Sequence, residues 1–80
     1  MNNWTVYILQ CSDSSLYTGI TTDILKRLKA HTAGTASKYT RSRLPIELVW
    51  SELTDTESAA KKREAAIKKL SRKEKLSLIR

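Results

Sequence analysis

Two short apolar runs near the start of the chain constrain its fold more than any other feature. We predict a first strand over residues 4–11 and a second over residues 16–21, because both runs are rich in the β-branched and aromatic residues that favour extended backbone. The polar segment between them, residues 12–15, has the composition of a turn. The sequence therefore predicts an antiparallel hairpin with one tyrosine on each strand, Tyr7 and Tyr17.

Helical periodicity begins directly after this hairpin. Asp23 and the two threonines before it supply capping residues for a helix that runs to about residue 32. Its inward stripe is expected to comprise Ile24, Leu25 and Leu28. A polar, basic loop is predicted to follow over residues 35–43.

A third strand and two further helices complete the chain. The strand is predicted over residues 46–53, and a long helix over residues 57–70 with Ala60, Glu64 and Ile67 on its inward face. A short final helix with apolar anchors follows. At the start of each of these helices a threonine or serine stands three places before a glutamate, which matches a capping box. The capping pairs are Thr54 with Glu57 and Ser71 with Glu74, and the anchors are Leu76, Leu78 and Ile79.

The order β-β-α-β-α-α predicts a small α+β fold, in which helices flank a three-stranded antiparallel sheet. At 80 residues we expect one domain, residues 1–80. No apolar run approaches the length of a membrane span and the first residues lack a secretory pattern, so we predict a soluble cytosolic protein without a membrane partner. One cysteine and one histidine argue against a disulfide and against a zinc site.

The net charge of +7 is unevenly distributed. Residues 61–80 carry nine basic and two acidic side chains, which accounts for the whole excess. A second basic block, residues 26–43, contains no acidic residue. Such patches attract polyanions, above all nucleic acid, but lysines on an outer helix face also serve solubility alone. Charge by itself leaves both interpretations open.

Several polar residues have a functional and a structural interpretation. Arg27 and His31, four apart on one helix face, could grip a phosphate or form a solvated edge. Glu64 on a packed face could coordinate a hard divalent cation, or pair with Arg63 or a nearby lysine. Gly19 inside a strand indicates a bulge or the close approach of another group. The basic loop has the composition of a surface that binds phosphate and stacks a base, and equally of an ordinary loop.

In this order and spacing, the polar residues resemble the GIY-YIG nuclease domain. The resemblance covers residues 4–79 and extends to the small stand-alone bacterial members, the YhbQ-like proteins. Its motifs are Tyr7-Ile8-Leu9, Leu16-Tyr17-Thr18-Gly19-Ile20-Thr21, Arg27 with His31, Ser37-Lys38-Tyr39-Thr40-Arg41, and Glu64. The chain departs from the family at Thr5, which stands in place of a glycine, and its only asparagines are Asn2 and Asn3, whereas many family nucleases have one late in the domain.

The resemblance implies hydrolysis of a phosphodiester bond assisted by one divalent metal, magnesium or manganese. Glu64 would hold the metal, and Tyr7 would hold or deprotonate the attacking water. Tyr17 would position water or phosphate, while Arg27, with help from His31, would stabilise charge on the phosphate. A tyrosine base has an ordinary pKa near 10, so we expect activity to rise into the alkaline range.

The expected substrate is nucleic acid, DNA in preference to RNA, cut with low sequence specificity in DNA repair or recombination. The residues expected to contact it are Gly19, Lys26, Lys38, Tyr39 and Arg41. One alternative is a nucleic-acid-binding module that has the nuclease fold and does not cleave. Another is a partner-binding protein with no nucleic-acid role. The oligomeric state, substrate structure and pathway stay open.

A shared site requires that Tyr7 and Tyr17 leave the sheet on the same face. Directly opposed residues share a face, so the numbers of paired positions must sum to an even value. A regular turn with an even number of residues gives an odd sum and places the two rings on opposite faces. We therefore expect a turn with an odd number of residues, or a bulge, for which Gly19 is the natural place.

Overall fold

The computed structural model describes residues 3–79 and confirms the α+β class. Met1, Asn2 and Arg80 lie outside the described residues. Three antiparallel strands form one sheet in the order β2-β1-β3, with helices on both faces. The elements are β1 (Trp4–Gln10), β2 (Leu16–Thr21), α1 (Ile24–Thr32), α2 (Lys38–Arg41), β3 (Glu47–Thr54), α3 (Glu57–Lys68) and α4 (Arg72–Ile79). Within residues 3–79 no helix combines the length and apolarity needed to span a bilayer.

Both tyrosines lie on one face of the sheet because the connection between β1 and β2 has an odd number of residues. Residues 11–15 join the strands, an odd number, because Cys11 belongs to the turn and not to β1. Tyr7 is therefore opposite Gly19, and Leu9 is opposite Tyr17. Pairing runs through Gly19 without interruption, so the expected alternative of a bulge there is wrong. The irregularity of this sheet lies instead between β1 and β3, where the register shifts by one after Ile8.

The central strand β1 is covered on both faces. Val6 and Ile8 pack with Ala60 and Ile67 of α3 in the apolar core, which the two tryptophans and the last residues of α4 extend. Tyr7, which alternates with them, leaves the opposite face, where α1 and α2 lie. A residue in this position is shielded by its own sheet and by α1, and Tyr7 is completely buried.

The helix starts agree with the sequence in part. The capping box at Ser71 and Glu74 is confirmed by two reciprocal bonds, since each residue's backbone N–H donates to the other's side chain. The box at Thr54 is wrong: Thr56 caps α3 by accepting from the N–H of Ala59, while the Thr54 hydroxyl donates to the carbonyl of Trp4. That bond fastens the end of β3 to β1, which explains why Thr54 belongs to the strand.

Two further predictions are corrected. Leu25 does not belong to the inward stripe of α1, because 71% of its surface is exposed. The segment 35–43 is not wholly a loop, because Ser37 accepts from the N–H of Tyr39 and starts the single turn α2. This turn carries Thr40 into the interior. Also, α3 ends at Lys68, two residues before the expected end.

Candidate active site

Tyr7 is the centre of a buried polar cluster on the α1 face of the sheet. Its hydroxyl lies 2.9 Å from Nε2 of His31, and Nε of Arg27 donates to the same oxygen at 3.4 Å. Gly19 makes room for this ring: a Cβ there would lie 2.6 Å from the Tyr7 hydroxyl. The close approach that the sequence indicated at Gly19 is therefore made by the Tyr7 ring, not by a helix.

His31 is turned away from solvent. It is fully buried, and its Nδ1 lies 2.9 Å from the hydroxyl oxygen of Thr40. Burial lowers the pKa of His31, and the positive charge of Arg27 lowers it further, so the ring is neutral at pH 7. The spacing of Arg27 and His31 suggested that they could bind a phosphate together. Both ring nitrogens of His31 have protein partners, so His31 does not take part in such binding. It is a partner of Tyr7.

Tyr7 and Arg27, which contact each other at the centre, both have raised pKa values. Burial raises the pKa of Tyr7 above its ordinary value; the bond from Arg27 opposes this, and the negative charges of Tyr17 and Glu64 add to it. The pKa of Arg27 is raised chiefly by its bond to Tyr7. The resting cluster consequently holds a neutral phenol between a guanidinium cation and a neutral imidazole.

Tyr17 connects this centre to α2. Its ring centroid lies 5.4 Å from His31 and 6.5 Å from Tyr7, and it stacks on Tyr39 at 5.9 Å. The guanidinium of Arg43 lies 3.9 Å above the Tyr39 ring. The Tyr17 ring and the Arg43 guanidinium thus already contact the Tyr39 ring, so a base could stack on Tyr39 only in competition with them. This differs from the expectation of a freely available stacking surface.

A salt bridge holds Arg43 in place. Its Nε donates to the carboxylate of Asp13 at 3.1 Å, and its backbone carbonyl accepts from the N–H of Ser12. Both partners lie in the hairpin connection, 30 positions away in the case of Asp13. The segment after α2 is therefore tied to the turn between the two tyrosine strands.

Glu64 lies on α3, the helix that packs on the other face of the sheet. Its side chain is 23% exposed and forms an ion pair with Lys68 one turn later, at 3.3 Å. Arg63, the other partner that the sequence offered, instead pairs with Glu52 at 2.8 Å. No hydrogen bond joins Glu64 to a tyrosine within the described part of the chain, but its charge contributes to the raised pKa of Tyr7. The carboxylate is thus within electrostatic range of the phenol and not in contact with it.

The donor set fits one kind of metal. Across residues 3–79 there is no group of three or more His, Cys, Asp or Glu side chains that could enclose an ion. Magnesium does not need such a cage, because it commonly binds through one or two carboxylates and completes its shell with water and substrate phosphate. A half-buried carboxylate whose only ion-pair partner among these residues is an exposed lysine meets that requirement.

The remaining predicted contact residues lie on the surface around the cluster. Lys26 and Arg27 line a shallow cleft of about 200 Å³ at the N-terminus of α1. Lys38 and Arg41 are exposed on α2, and the Arg41 stem lies against Gly34. The cleft thus combines two cations with the end of a helix that attracts anions.

Sequence reasoning missed Thr40 and Arg43. Thr40 was quoted only as part of a motif, and a single turn of helix leaves no periodic signal that would mark it as an inward residue. The Arg43 contacts depend on the fold of a segment 30 positions earlier. A cation two residues before the only proline was visible, but nothing local pointed to its partner.

Comparisons with known proteins identify the family of the chain. The family model described as the GIY-YIG catalytic domain matches residues 3–77. The chain is 57% identical to a UPF0213 protein of Syntrophus aciditrophicus over 94% of its own length and 87% of that protein's. It is 53% identical to a UPF0213 protein of Haloquadratum walsbyi, covering 91% and 82%.

Two solved structures are also similar. The solution structure of the UPF0213 protein BH0048 from Bacillus halodurans has a TM-score of 0.63 at 44% identity, covering 96% of this chain and 82% of that one. The solution structure of EF2693 from E. faecalis has a TM-score of 0.65 at 43% identity, covering 94% and 80%.

Proposed function

Because the chain belongs to the GIY-YIG family, a family of nucleases, we propose that it is an endonuclease that hydrolyses phosphodiester bonds in DNA with the help of one divalent metal ion. The observation that carries this proposal is the bonded set of Arg27, Tyr7 and His31, with a carboxylate in electrostatic range. Phosphodiester hydrolysis needs an oriented water, an acceptor for its proton and positive charge for the phosphate. This set can supply all three within one domain, residues 1–80.

Tyr7 acts on the attacking water and His31 acts on Tyr7. When the water oxygen attacks phosphorus, its proton moves to the Tyr7 oxygen while the phenolic proton moves to Nε2 of His31. The bond to the leaving sugar oxygen breaks, and that oxygen takes a proton from solvent. After product release, the imidazolium returns its proton by the reverse path.

The transfer to His31 must accompany the attack on phosphorus. The ordinary pKa values of tyrosine and histidine, 10.0 and 6.5, are moved further apart by burial. Forming the phenolate and imidazolium beforehand is therefore unfavourable. Coupling the two proton movements avoids that separated state.

Arg27 and Tyr17 act on the phosphate. Arg27 lines the cleft, and its guanidinium has five N–H donors, so donors remain for a phosphate beside its contacts with Tyr7 and Tyr17. There they stabilise the charge that develops on the non-bridging oxygens. Tyr17 orients the water or phosphate beside the Tyr7 ring. Glu64 would hold the magnesium or manganese ion, which supplies positive charge at the scissile phosphate when bound.

The substrate is held mainly by its backbone. Lys26, Lys38 and Arg41 are exposed cations near the cluster that can contact phosphates and carry no sequence information. We therefore propose DNA with low sequence specificity and a role in repair or recombination.

The test is metal-dependent cleavage of single-stranded, duplex and branched DNA by the wild type and by Glu64→Gln. We expect cleavage with magnesium or manganese, none with EDTA, and a loss of at least about 100-fold in Glu64→Gln. Glu47→Gln, which neutralises an exposed carboxylate on β3, is the matched control and should keep the wild-type rate. Equal rates in Glu64→Gln and wild type would remove Glu64 from the mechanism.

A second candidate is a DNA-binding module that does not cleave, which the excess of nine basic over two acidic residues in 61–80 favours. Retained binding without cleavage under any metal would select this function over the nuclease.

A further inference from the structure

We propose that Thr40 is a positioning residue that sets the direction of the proton relay, by holding His31 in the tautomer whose Nε2 accepts from Tyr7. This inference rests on the proposed function for its catalytic meaning, but the tautomer can be measured without any cleavage. Thr40 is fully buried and does not line the cleft beside Lys26 and Arg27. Its effect on chemistry must pass through His31.

The hydroxyl proton of Tyr7 determines which tautomer His31 adopts. In the protein without substrate Tyr7 is fully buried, so this proton needs an acceptor within the protein. Arg27 is a donor and cannot accept it. Among the described residues the one acceptor in reach is Nε2 of His31, at 2.9 Å. Nε2 must therefore be unprotonated, and in a neutral ring the proton then lies on Nδ1.

The hydrogen bonds on the Nδ1 side of His31 are consistent with this tautomer. With its proton on Nδ1, His31 donates to the Thr40 oxygen at 2.9 Å. The Thr40 hydroxyl then donates to the carbonyl of Ser37 at 3.4 Å. That carbonyl already accepts from the N–H of Arg41 and has a second lone pair for Thr40. Every donor in this series of hydrogen bonds has an acceptor, and no buried side-chain nitrogen or oxygen in the described region lacks a partner.

The opposite tautomer would reverse the relay. Nε2–H would donate to the Tyr7 oxygen, and the phenolic proton would point toward the attacking water. Tyr7 would then offer a donor where the reaction requires an acceptor, and His31 would have no free nitrogen facing Tyr7. Thr40 prevents this because its oxygen, already committed as a donor to Ser37, accepts the Nδ1 proton.

The element α2 has a corresponding role. It is a single turn, started by Ser37, and it carries one buried residue, Thr40. The capping Ser37 also supplies the carbonyl that receives the Thr40 proton. The turn therefore both places Thr40 against His31 and orients its hydroxyl.

The direct test is the tautomer of His31 in the wild-type protein. Long-range proton–nitrogen NMR spectra of protein labelled with ¹⁵N-histidine distinguish a protonated from an unprotonated ring nitrogen. His31 is the one histidine of the chain, so its signals need no further assignment. At pH 8 we expect Nδ1 protonated and Nε2 unprotonated. The reverse pattern would overturn the proposal, without any variant being made.

Variants then separate positioning from structure. Thr40→Val keeps the shape and removes the acceptor, so the Nδ1 proton loses its partner and the Nε2–H form should gain population. We expect kcat for metal-dependent cleavage to fall by about 10-fold to 100-fold, the range found when a partner that orients a functional histidine is lost, with KM unchanged. Thr40→Ser keeps the hydroxyl, so this variant should retain the wild-type tautomer and the wild-type kcat.

The outcomes are distinguishable from failure of the nuclease proposal. A wild-type spectrum with Nδ1 protonated, in a protein that cleaves nothing, supports the relay geometry and refutes the nuclease. Cleavage by a Thr40→Val variant with an unchanged tautomer and unchanged kcat overturns the role of Thr40 and leaves the nuclease standing. If Thr40→Val does not fold, the wild-type spectrum and the comparison of Thr40→Ser with wild type still decide.

Discussion

At the residue scale, the proposed role of Tyr7 depends on the direction of its hydroxyl proton as well as on the position of its ring. The sequence allowed the identities of the cluster to be predicted, since a tyrosine on each strand and an arginine and histidine one turn apart are visible in the chain. It did not allow the direction of each side chain to be predicted. Helical spacing puts Arg27 and His31 on one face, but only the packed fold shows that His31 is inside and Arg27 at its edge.

The relay has a specific pH dependence. Neutral Tyr7 with neutral His31 is the reactive pair, and it dominates between the lowered pKa of His31, below 6.5, and the raised pKa of Tyr7, above 10.0. We predict a level cleavage rate from about pH 7 to pH 9.5, and a falling rate below that as His31 gains a proton. Single-turnover rates across this range measure it.

This prediction differs from the alkaline rise expected from the sequence, which assumed that Tyr7 loses its proton to solvent. His31→Gln separates the two: glutamine can still accept from Tyr7 but cannot take the proton, so its rate should rise by about tenfold per pH unit. A wild-type rate with that same slope would contradict the relay and support a free phenolate.

At the element scale, the hairpin was the most predictable part of the chain, and α2 the least. β2 has the predicted bounds, and the odd connection required by two tyrosines on one face is present. The single turn α2 was predicted as loop because four residues cannot show a helical period. α3 begins at Glu57 as predicted, but its capping residue was missed because Thr54 and Thr56 both fit a cap, and only pairing of Thr54 with Trp4 decides between them.

Gly19 links strand register to the cluster. In Gly19→Ala the new methyl would overlap the Tyr7 ring, with approaches of 2.6 Å and 2.7 Å, so the ring must move from His31 and Arg27. We predict a loss of about 1–3 kcal/mol in the free energy of unfolding, typical of overpacking, together with a large loss of cleavage. Urea unfolding and cleavage rates measure the two effects.

Gly34→Ala is the matched control. Gly34 has φ of +79°, so alanine there is strained by about 1 kcal/mol, but its nearest neighbour is the flexible Arg41 stem. This variant should lose stability and keep the cleavage rate of its folded fraction. If Gly19→Ala cleaved as well as Gly34→Ala, a fixed Tyr7 ring would not be required.

At the scale of the whole molecule, the positive charge is divided between two surfaces. The basic residues of α1 and α2 lie on the face of the sheet that carries Tyr7, whereas those of α3 and α4 accompany the apolar core on the other face. The greater excess is on the second surface, away from the tyrosines. Charge counting alone would therefore favour the surface of α3 and α4, from which only Glu64 belongs to the proposed site.

Neutralising matched pairs of lysines tests where DNA binds. We predict that Lys26→Gln with Lys38→Gln weakens DNA binding and lowers the slope of log affinity against log salt by about 2, one unit for each lost phosphate contact. Lys62→Gln with Lys69→Gln, an equal change of charge at exposed positions on α3 and at its C-cap, should leave that slope nearly unchanged.

Equal effects of the two pairs would mean that DNA engages both surfaces. Binding that does not respond to salt at all would contradict a nucleic-acid role and favour the partner-binding alternative.

The strand order also affects how the protein is made. β1 is the first strand to be synthesised and the central strand of the sheet, and its pairing with β3 joins Trp4 to Thr54. The core face of β1 is covered only after Ala60 and Ile67 have been synthesised. Such non-local pairing slows folding, and during translation it leaves β1 without β3 and α3 until most of the chain has emerged. The cluster around Tyr7 is built from residues 17–40, so the face of β1 that carries the proposed site can be covered before the face that carries the core.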